Sequence, residues 1–146
     1  MIGRLGGCLV LLAALVAGCT SDPPPRPESD REKVDRYFSE LNAAGRQGSQ
    51  AQQEFLRGAQ HPDFTGKACE LNGLTLDVYA ALSTLRPDPD WTPEGATKPP
   101  SGVIYVLGIS ITLRRAGATL GEQIGSARVA LADGRAYGFT PCPSSR

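Results

Sequence analysis

The chain has 146 residues, and its 15 lysines and arginines balance 15 aspartates and glutamates to a formal net charge of zero. That length supports one hydrophobic core of ordinary size. The arginines are scattered rather than grouped, which excludes the basic stripe that nucleic-acid binding demands.

The N-terminus carries one positive charge, Arg4, then an apolar run over residues 9–17, then Gly18 and Cys19. A charged start, a short apolar stretch and a small-residue cleavage site define a secretory signal. Nine apolar residues span about 13 Å as a helix, less than half of a ~30 Å hydrocarbon core. Gly6 and Gly7 interrupt any extension of the run. Because Cys19 directly follows Val16-Ala17-Gly18, the segment resembles a bacterial lipoprotein signal, whose lipobox cysteine is acylated and becomes the first residue. The resemblance implies loss of residues 1–18 and a diacylglyceryl and palmitate-type acyl anchor on Cys19. It also implies a place on the outer, extracytoplasmic face of the cell membrane. Each buried methylene contributes about 0.8 kcal/mol, so two or more acyl chains hold stably. An ordinary signal peptide, with Cys19 merely nearby, is the plainer alternative. Scarce lysine beside plentiful arginine, alanine, glycine and proline suggests a GC-rich coding sequence of actinobacterial type.

Residues 20–29 contain four prolines and favour polyproline II at about 3.1 Å per residue, a spacer of up to about 30 Å. With Cys19 they form a tether over 19–29, leaving a single domain over 30–146. Ser29-Asp30-Arg31-Glu32 fits a capping box. Val34, Phe38 and Leu41 follow at helical spacing, with Tyr37 at the stripe's edge and Gly45 as the expected helix end. A second, thinly apolar helix rests on Ala51, Phe55, Leu56 and Ala59, and His61-Pro62 ends it.

From residue 71 the period changes. Leu74-Thr75-Leu76-Asp77-Val78 alternates like a strand, yet Leu71, Leu74, Val78, Leu82 and Leu85 also fit a helical stripe. The strand is preferred over 74–85, and both readings stay open. Residues 86–102 hold five prolines and the only tryptophan, Trp91, and read as a long loop. Residues 103–113 form the clearest strand, with Val103, Tyr105, Leu107, Ile109, Ile111 and Leu113 on one face. Ile104 and Val106 make its first half apolar on both sides. Arg114-Arg115-Ala116-Gly117 turns the chain into a strand from about Ala118, which Gly121 and Gly125 are expected to bend or bulge. Asp133-Gly134 signals a type I′ hairpin. Its register sets Ala130 opposite Tyr137 and Arg128 opposite Phe139, with Val129 and Leu131 on the other face.

Cys8 leaves with the signal and Cys19 carries lipid, so Cys69 and Cys142 remain as one pair in an oxidising compartment. Closing their loop of about 74 residues stabilises by about 4 kcal/mol in the chain-entropy model. A metal site lacks ligands, because His61 is the only histidine and no Cys-x-x-Cys occurs. Neither metal nor cofactor is expected.

Helices followed by three to five antiparallel strands make an α+β pattern, with two N-terminal helices packed on a curved sheet. Within it, residues 37–45 (Tyr-Phe-Ser-Glu-Leu-Asn-Ala-Ala-Gly) form an aromatic-rich helix ending in Leu-Asn-Ala, followed by a shorter helix with Phe55-Leu56. This looks like the opening of NTF2-like domains, and the terminal Asp-Gly hairpin suits them too. The resemblance implies an NTF2-like or cystatin-like cone, in which a curved sheet wraps a long helix and often leaves a pocket. Arg46-Gln47-Gly48 stands where an acidic residue usually follows Asn-Ala-Gly. His61, outside any strand, matches no position of the aspartate–histidine sets in the family's enzymes.

The function expected from these features is a binding module for a small apolar ligand or an envelope protein. Tyr105, Tyr137 and Phe139 are candidates to line the sheet's concavity, or simply to fill the core. Trp91 is a candidate interface anchor, or else a lid folded back on the core. Arg114-Arg115 reads as a head-group contact or as an exposed hairpin end. The alternative is a small NTF2-like enzyme with Asp77 and His61 as an acid–base pair and Ser83 or Ser110 as nucleophile. The chain carries no Gly-x-Ser-x-Gly, His-Glu-x-x-His or phosphate loop, so catalysis is not expected.

Overall fold

Ser29 starts the first helix through a reciprocal cap. Its hydroxyl accepts from the Glu32 backbone N–H at 3.3 Å, while its own backbone N–H donates to Glu32 Oε2 at 2.7 Å. The computed structural model describes residues 26–66 and 70–139. The expected signal segment, Cys19, Cys69 and Cys142 lie outside the described residues. Helix α1 covers Asp30–Gln47 and buries Val34, Tyr37, Phe38, Leu41 and Ala44.

Gly45 does not end this helix, contrary to the sequence expectation; the chain stays helical to Gln47, and Gly48 caps it at φ 126°. Gly45 is small for a packing reason, since a Cβ there would lie 2.6 Å from Gln52 Nε2. Helix α2, Ser49–Gly58, sets Phe55 and Leu56 against the core, with Ala59 just after it, as expected. It also buries Gln52 and Gln53, so its thin apolar stripe reflects buried amides rather than exposure.

After a 3₁₀ turn at Pro62–Phe64, four antiparallel strands follow: β1 Leu74–Pro87, β2 Val103–Arg115, β3 Ala118–Ala132 and β4 Arg135–Gly138. They pair as a meander in the order β1-β2-β3-β4. Residues 74–85 are therefore strand, and the following loop starts only at 88. The fold is α+β, two helices on a four-stranded sheet.

Register decides which residues meet the helices. Leu76 pairs with Leu113, Val78 with Ile111, Tyr105 with Val129 and Leu131 with Ala136. Strand side chains alternate, so these share one face and pack with α1 and α2 in the core. Helix α1 reaches both edges of the sheet: Asn42 bonds Val78 in β1, and Tyr37 lies over Gly138 in β4. Apolar side chains of α1, α2 and the sheet pack together there. A void among them measures about 30 Å³ and is lined by Phe38, Leu41, Leu76 and Ile109.

Two irregularities shape the long strands. Between Ala81 and Arg86 the β1–β2 ladder shifts, and the Thr84 hydroxyl takes over a ladder position. It donates to Ala81 O at 2.7 Å and accepts from Gly108 N at 2.8 Å. The second shift leaves Leu120 unpaired beside Gly121. Gly125 pairs regularly with Ile109, so the bulge expected there is absent; only the first glycine adjoins one. Asp133 and Gly134 both have positive φ, 50° and 74°, as a type I′ turn requires. Ala130 faces Tyr137 as expected, and the ladder ends one pair later at Val129 and Gly138.

Candidate functional site

Residues 59–61 lie alongside β4. Gly138 N donates to Ala59 O at 2.8 Å, and His61 N donates to Gly138 O at 3.1 Å, which carries His61 into the interior with no exposed surface. There its ring stacks on Phe139 at 5.2 Å and meets Tyr137 edge-on at 5.9 Å. Trp91 packs edge-on against Phe139 at 4.7 Å, and Phe64 does so at 5.6 Å. Offset and edge-on contacts of this kind add to the area that the rings bury.

Both His61 nitrogens are engaged. Nδ1 accepts from the Asp63 backbone N–H at 3.1 Å, which assigns the hydrogen to Nε2, and Nε2 donates to Ser101 O at 2.9 Å. Asp63 Oδ2 in turn accepts from Ser101 N at 3.1 Å and from its hydroxyl at 3.2 Å. The Ser101 backbone bond, with the hydroxyl bond beside it, holds the Asp63 carboxyl below its ordinary range. His61 and Asp63 thus clasp one end of loop 88–102.

The other end is fixed independently. Asp88 N donates to Ile104 O at 2.9 Å. Arg128 Nε reaches Asp88 Oδ2 at 3.1 Å, and its guanidinium lies 5.1 Å from the Trp91 ring centre. Gly102, at φ 94°, closes the loop where a Cβ would lie 2.6 Å from Leu131 O. The loop is thus pinned at both ends, and Ile104, Val106 and Ala130 are buried on the face away from α1.

The structure therefore brings together Trp91, Tyr137 and Phe139, and it separates Tyr105 from them. Tyr105 pairs with Val129 on the helix face, whereas Tyr137 pairs with Ala130 on the opposite one. One concavity cannot hold both tyrosines. Tyr105 instead donates its hydroxyl to Asp30 Oδ2 at 2.7 Å, which ties β2 to the first turn of α1. That bond, with Lys33 beside it, lowers the Asp30 carboxyl, and the same bond raises the Tyr105 phenol. Trp91 packs edge-on against Phe139 and stays half-buried.

Asp77 and His61 do not meet. Asp77 faces Thr112, whereas His61 bonds Gly138, which is level with Tyr105 through Val129. Thr112 and Tyr105 are roughly 23 Å apart along β2 at about 3.3 Å per residue. Ser83 is exposed in the β1 bulge, and Ser110 sits mid-strand between Tyr79 and Ile124. Among the described residues, no group of three histidine, cysteine, aspartate or glutamate side chains gathers as metal ligands. No described helix is long and apolar enough to cross a membrane.

Two polar residues with a definite job escaped the sequence reading. Gln52, with no exposed surface, accepts from Leu76 N at 2.7 Å and donates to Leu76 O at 2.7 Å and Leu41 O at 3.0 Å. Asn42 does the same one repeat along the strand, accepting from Val78 N and donating to Val78 O, each at 2.8 Å. Each side-chain amide stands where a neighbouring strand's peptide group would pair, and together they close the outer edge of β1 over these positions. One signal for Gln52 was available: it lies one helical turn before Leu56, on the buried stripe. Comparison with protein-family models, curated proteins and solved structures finds no match for this chain.

Proposed function

We propose that the protein is a lipoprotein anchored through Cys19 on the extracytoplasmic face of the membrane, whose domain binds another envelope protein. The observation that carries the partner reading is the character of the spaces between helices and sheet. The void against the sheet, about 30 Å³, is too small for a small apolar ligand, whose pockets usually run to several hundred, and the groove of about 410 Å³ beside α1, α2 and β4 is lined by the charged Lys33, Arg36, Glu40 and Arg135. Recognition is then left to the outer surface. There, loop 88–102 presents a half-buried Trp91 on a base fixed at both ends, and rigid aromatic anchors suit protein interfaces. The enzyme alternative gains no support from separated Asp77 and fully engaged His61.

An NTF2-like or cystatin-like cone is the finer fold we propose. Two features favour it: α1 touches both edge strands, and residues 59–61 add a rudimentary parallel element, bridged at Gln60 and Gly138, beside β4. For the proposed Cys69–Cys142 disulfide, the supporting contact is that of Phe64 with Phe139, 5.6 Å apart on the described flanks of both cysteines.

Three measurements test these proposals. Fatty-acid labelling should mark wild type and not Cys19→Ala; equal labelling removes the anchor. Thiol titration of the unfolded, unreduced chain should find neither Cys69 nor Cys142 free. A photo-crosslinker at Thr92 should give one discrete adduct in native membranes, lost in Trp91→Ala; no adduct sinks the partner reading.

A further inference from the structure

A groove of about 610 Å³ opens where the α1–α2 junction faces the start of β1 and the β2–β3 turn. Three arginines line it: Arg46 from the last turn of α1, and Arg114 and Arg115 from the end of β2. Asp77 is the one carboxylate among its described lining residues.

The charge is notable against the rest of a neutral chain. Several described cations outside it are matched by carboxylates, as in Arg26–Glu32, Arg36–Glu28, Arg57–Glu70 and Arg128–Asp88, and those that are not, such as Arg31 and Arg86, do not gather in a groove. Arg46 and Arg115 have no carboxylate partner among the described residues. Arg114 is held in place, donating to Thr119 Oγ1 at 3.1 Å and lying 3.9 Å from Asp77 Oδ2, with further donors left over. Guanidinium groups present planar donor forks that match phosphate oxygens. The walls also leave the backbone approachable: nothing lies within 4 Å of where a Cβ would stand at Gly48, Gly73 or Gly117.

From this we infer that the groove binds a phosphate ester bearing a neighbouring hydroxyl donor, of the glycerol phosphate class. Arg46 and Arg115, both on the helix side of the sheet, take the phosphate. Asp77 would repel a bare anion, and it accepts from a hydroxyl set next to one. The volume falls within the range of small-molecule sites, roughly 300–1,000 Å³. Two sources share this chemistry, a free or polymeric glycerol phosphate and the head group of phosphatidylglycerol. The site is independent of the partner reading, because it draws no residue from loop 88–102.

The test is an NMR titration of the full chain in uncharged dodecyl maltoside micelles, read at the groove's own glycine amides, Gly45, Gly48, Gly73 and Gly117. One arm adds glycerol 3-phosphate; the other adds phosphatidylglycerol to the micelles, with phosphatidylcholine as control. Saturable shifts at these glycines are expected, weakened about tenfold or more in the Arg46→Gln/Arg115→Gln variant and by added salt. Unmoved amides of Gly58 and Gly138 in that variant certify its fold. Shifts with free glycerol 3-phosphate assign a soluble source, and shifts with phosphatidylglycerol alone assign the lipid. No shift in either arm, or shifts of equal strength in the double variant, overturns the site.

Discussion

Tyr37 occupies the space that a side chain at position 138 would need: a Cβ on Gly138 would overlap the tyrosine's hydroxyl and lie 2.6 Å from its Cζ. The ring is fixed by Phe38 at 5.1 Å and Phe55 at 5.6 Å, so it cannot simply swing aside. Burial also pushes the Tyr37 phenol well above its ordinary range. Gly138→Ala is therefore expected to destabilise by about 2–3 kcal/mol, the usual scale of overpacking in a filled core. Urea denaturation checks this. Tyr37→Phe in the Gly138→Ala background should recover part of the loss, since it removes the nearest clashing atom; no recovery would place the strain elsewhere.

Replacing Gln52 with leucine keeps the volume and removes three hydrogen bonds. Leu76 N–H, Leu76 C=O and Leu41 C=O lose a partner in a dry environment, which is expected to cost about 2–4 kcal/mol. The same variant opens the β1 edge, and size-exclusion chromatography should show more oligomer at high concentration than wild type. Stability unchanged by Gln52→Leu would mean that water satisfies the strand edge.

Three carboxyls should make the protein somewhat less stable in acid. Asp30, Glu32 and Asp63 are all depressed, by the Tyr105 hydroxyl, the Ser29 cap and the Ser101 backbone N–H respectively. A depressed folded-state value means that the unfolded chain binds protons first, so the contribution is present above the unfolded values and lost below them. Those values are 4.5 for Glu32 and 3.8 for the two aspartates. Stability is expected to hold from neutral pH to about 5 and then fall as pH drops through the depressed values. In Tyr105→Phe the part of this fall owed to Asp30 should shrink, as followed by circular dichroism against pH.

Arg128 joins Asp88 to the face of Trp91. Because Trp91 is the sole tryptophan, its fluorescence reports the loop directly. Arg128→Met should shift emission to the red under native conditions while lowering global stability by no more than about 1 kcal/mol. An unshifted spectrum would show that Phe139 alone seats the ring.

Much of this fold could be read from residue patterns. The capping box at Ser29 and Glu32, the strand at 103–113 and the Asp133-Gly134 register all rest on local rules, and local chemistry decides them. What escaped depended on neighbours distant in sequence. Gly45 resembles a helix end until Gln52 is known to pack against it. Tyr105 and Tyr137 resemble partners until pairing with β3 sends them to opposite faces. Buried Gln52 and Asn42 are the extreme case, since an amide in a helix looks solvent-facing unless a strand edge 24 or 36 residues later requires it.

That spacing has a direction. A ribosome releases the chain from its N-terminus, so Asn42 and Gln52 emerge before any residue of β1. The most adhesive backbone of the sheet is thus never made before the side chains that cover it. A circular permutant starting at β1, with the helices moved to the end, would contain every native contact and synthesise them in the hazardous order. Its failure would appear as aggregation during synthesis, and the purified folded fraction would be as stable as wild type.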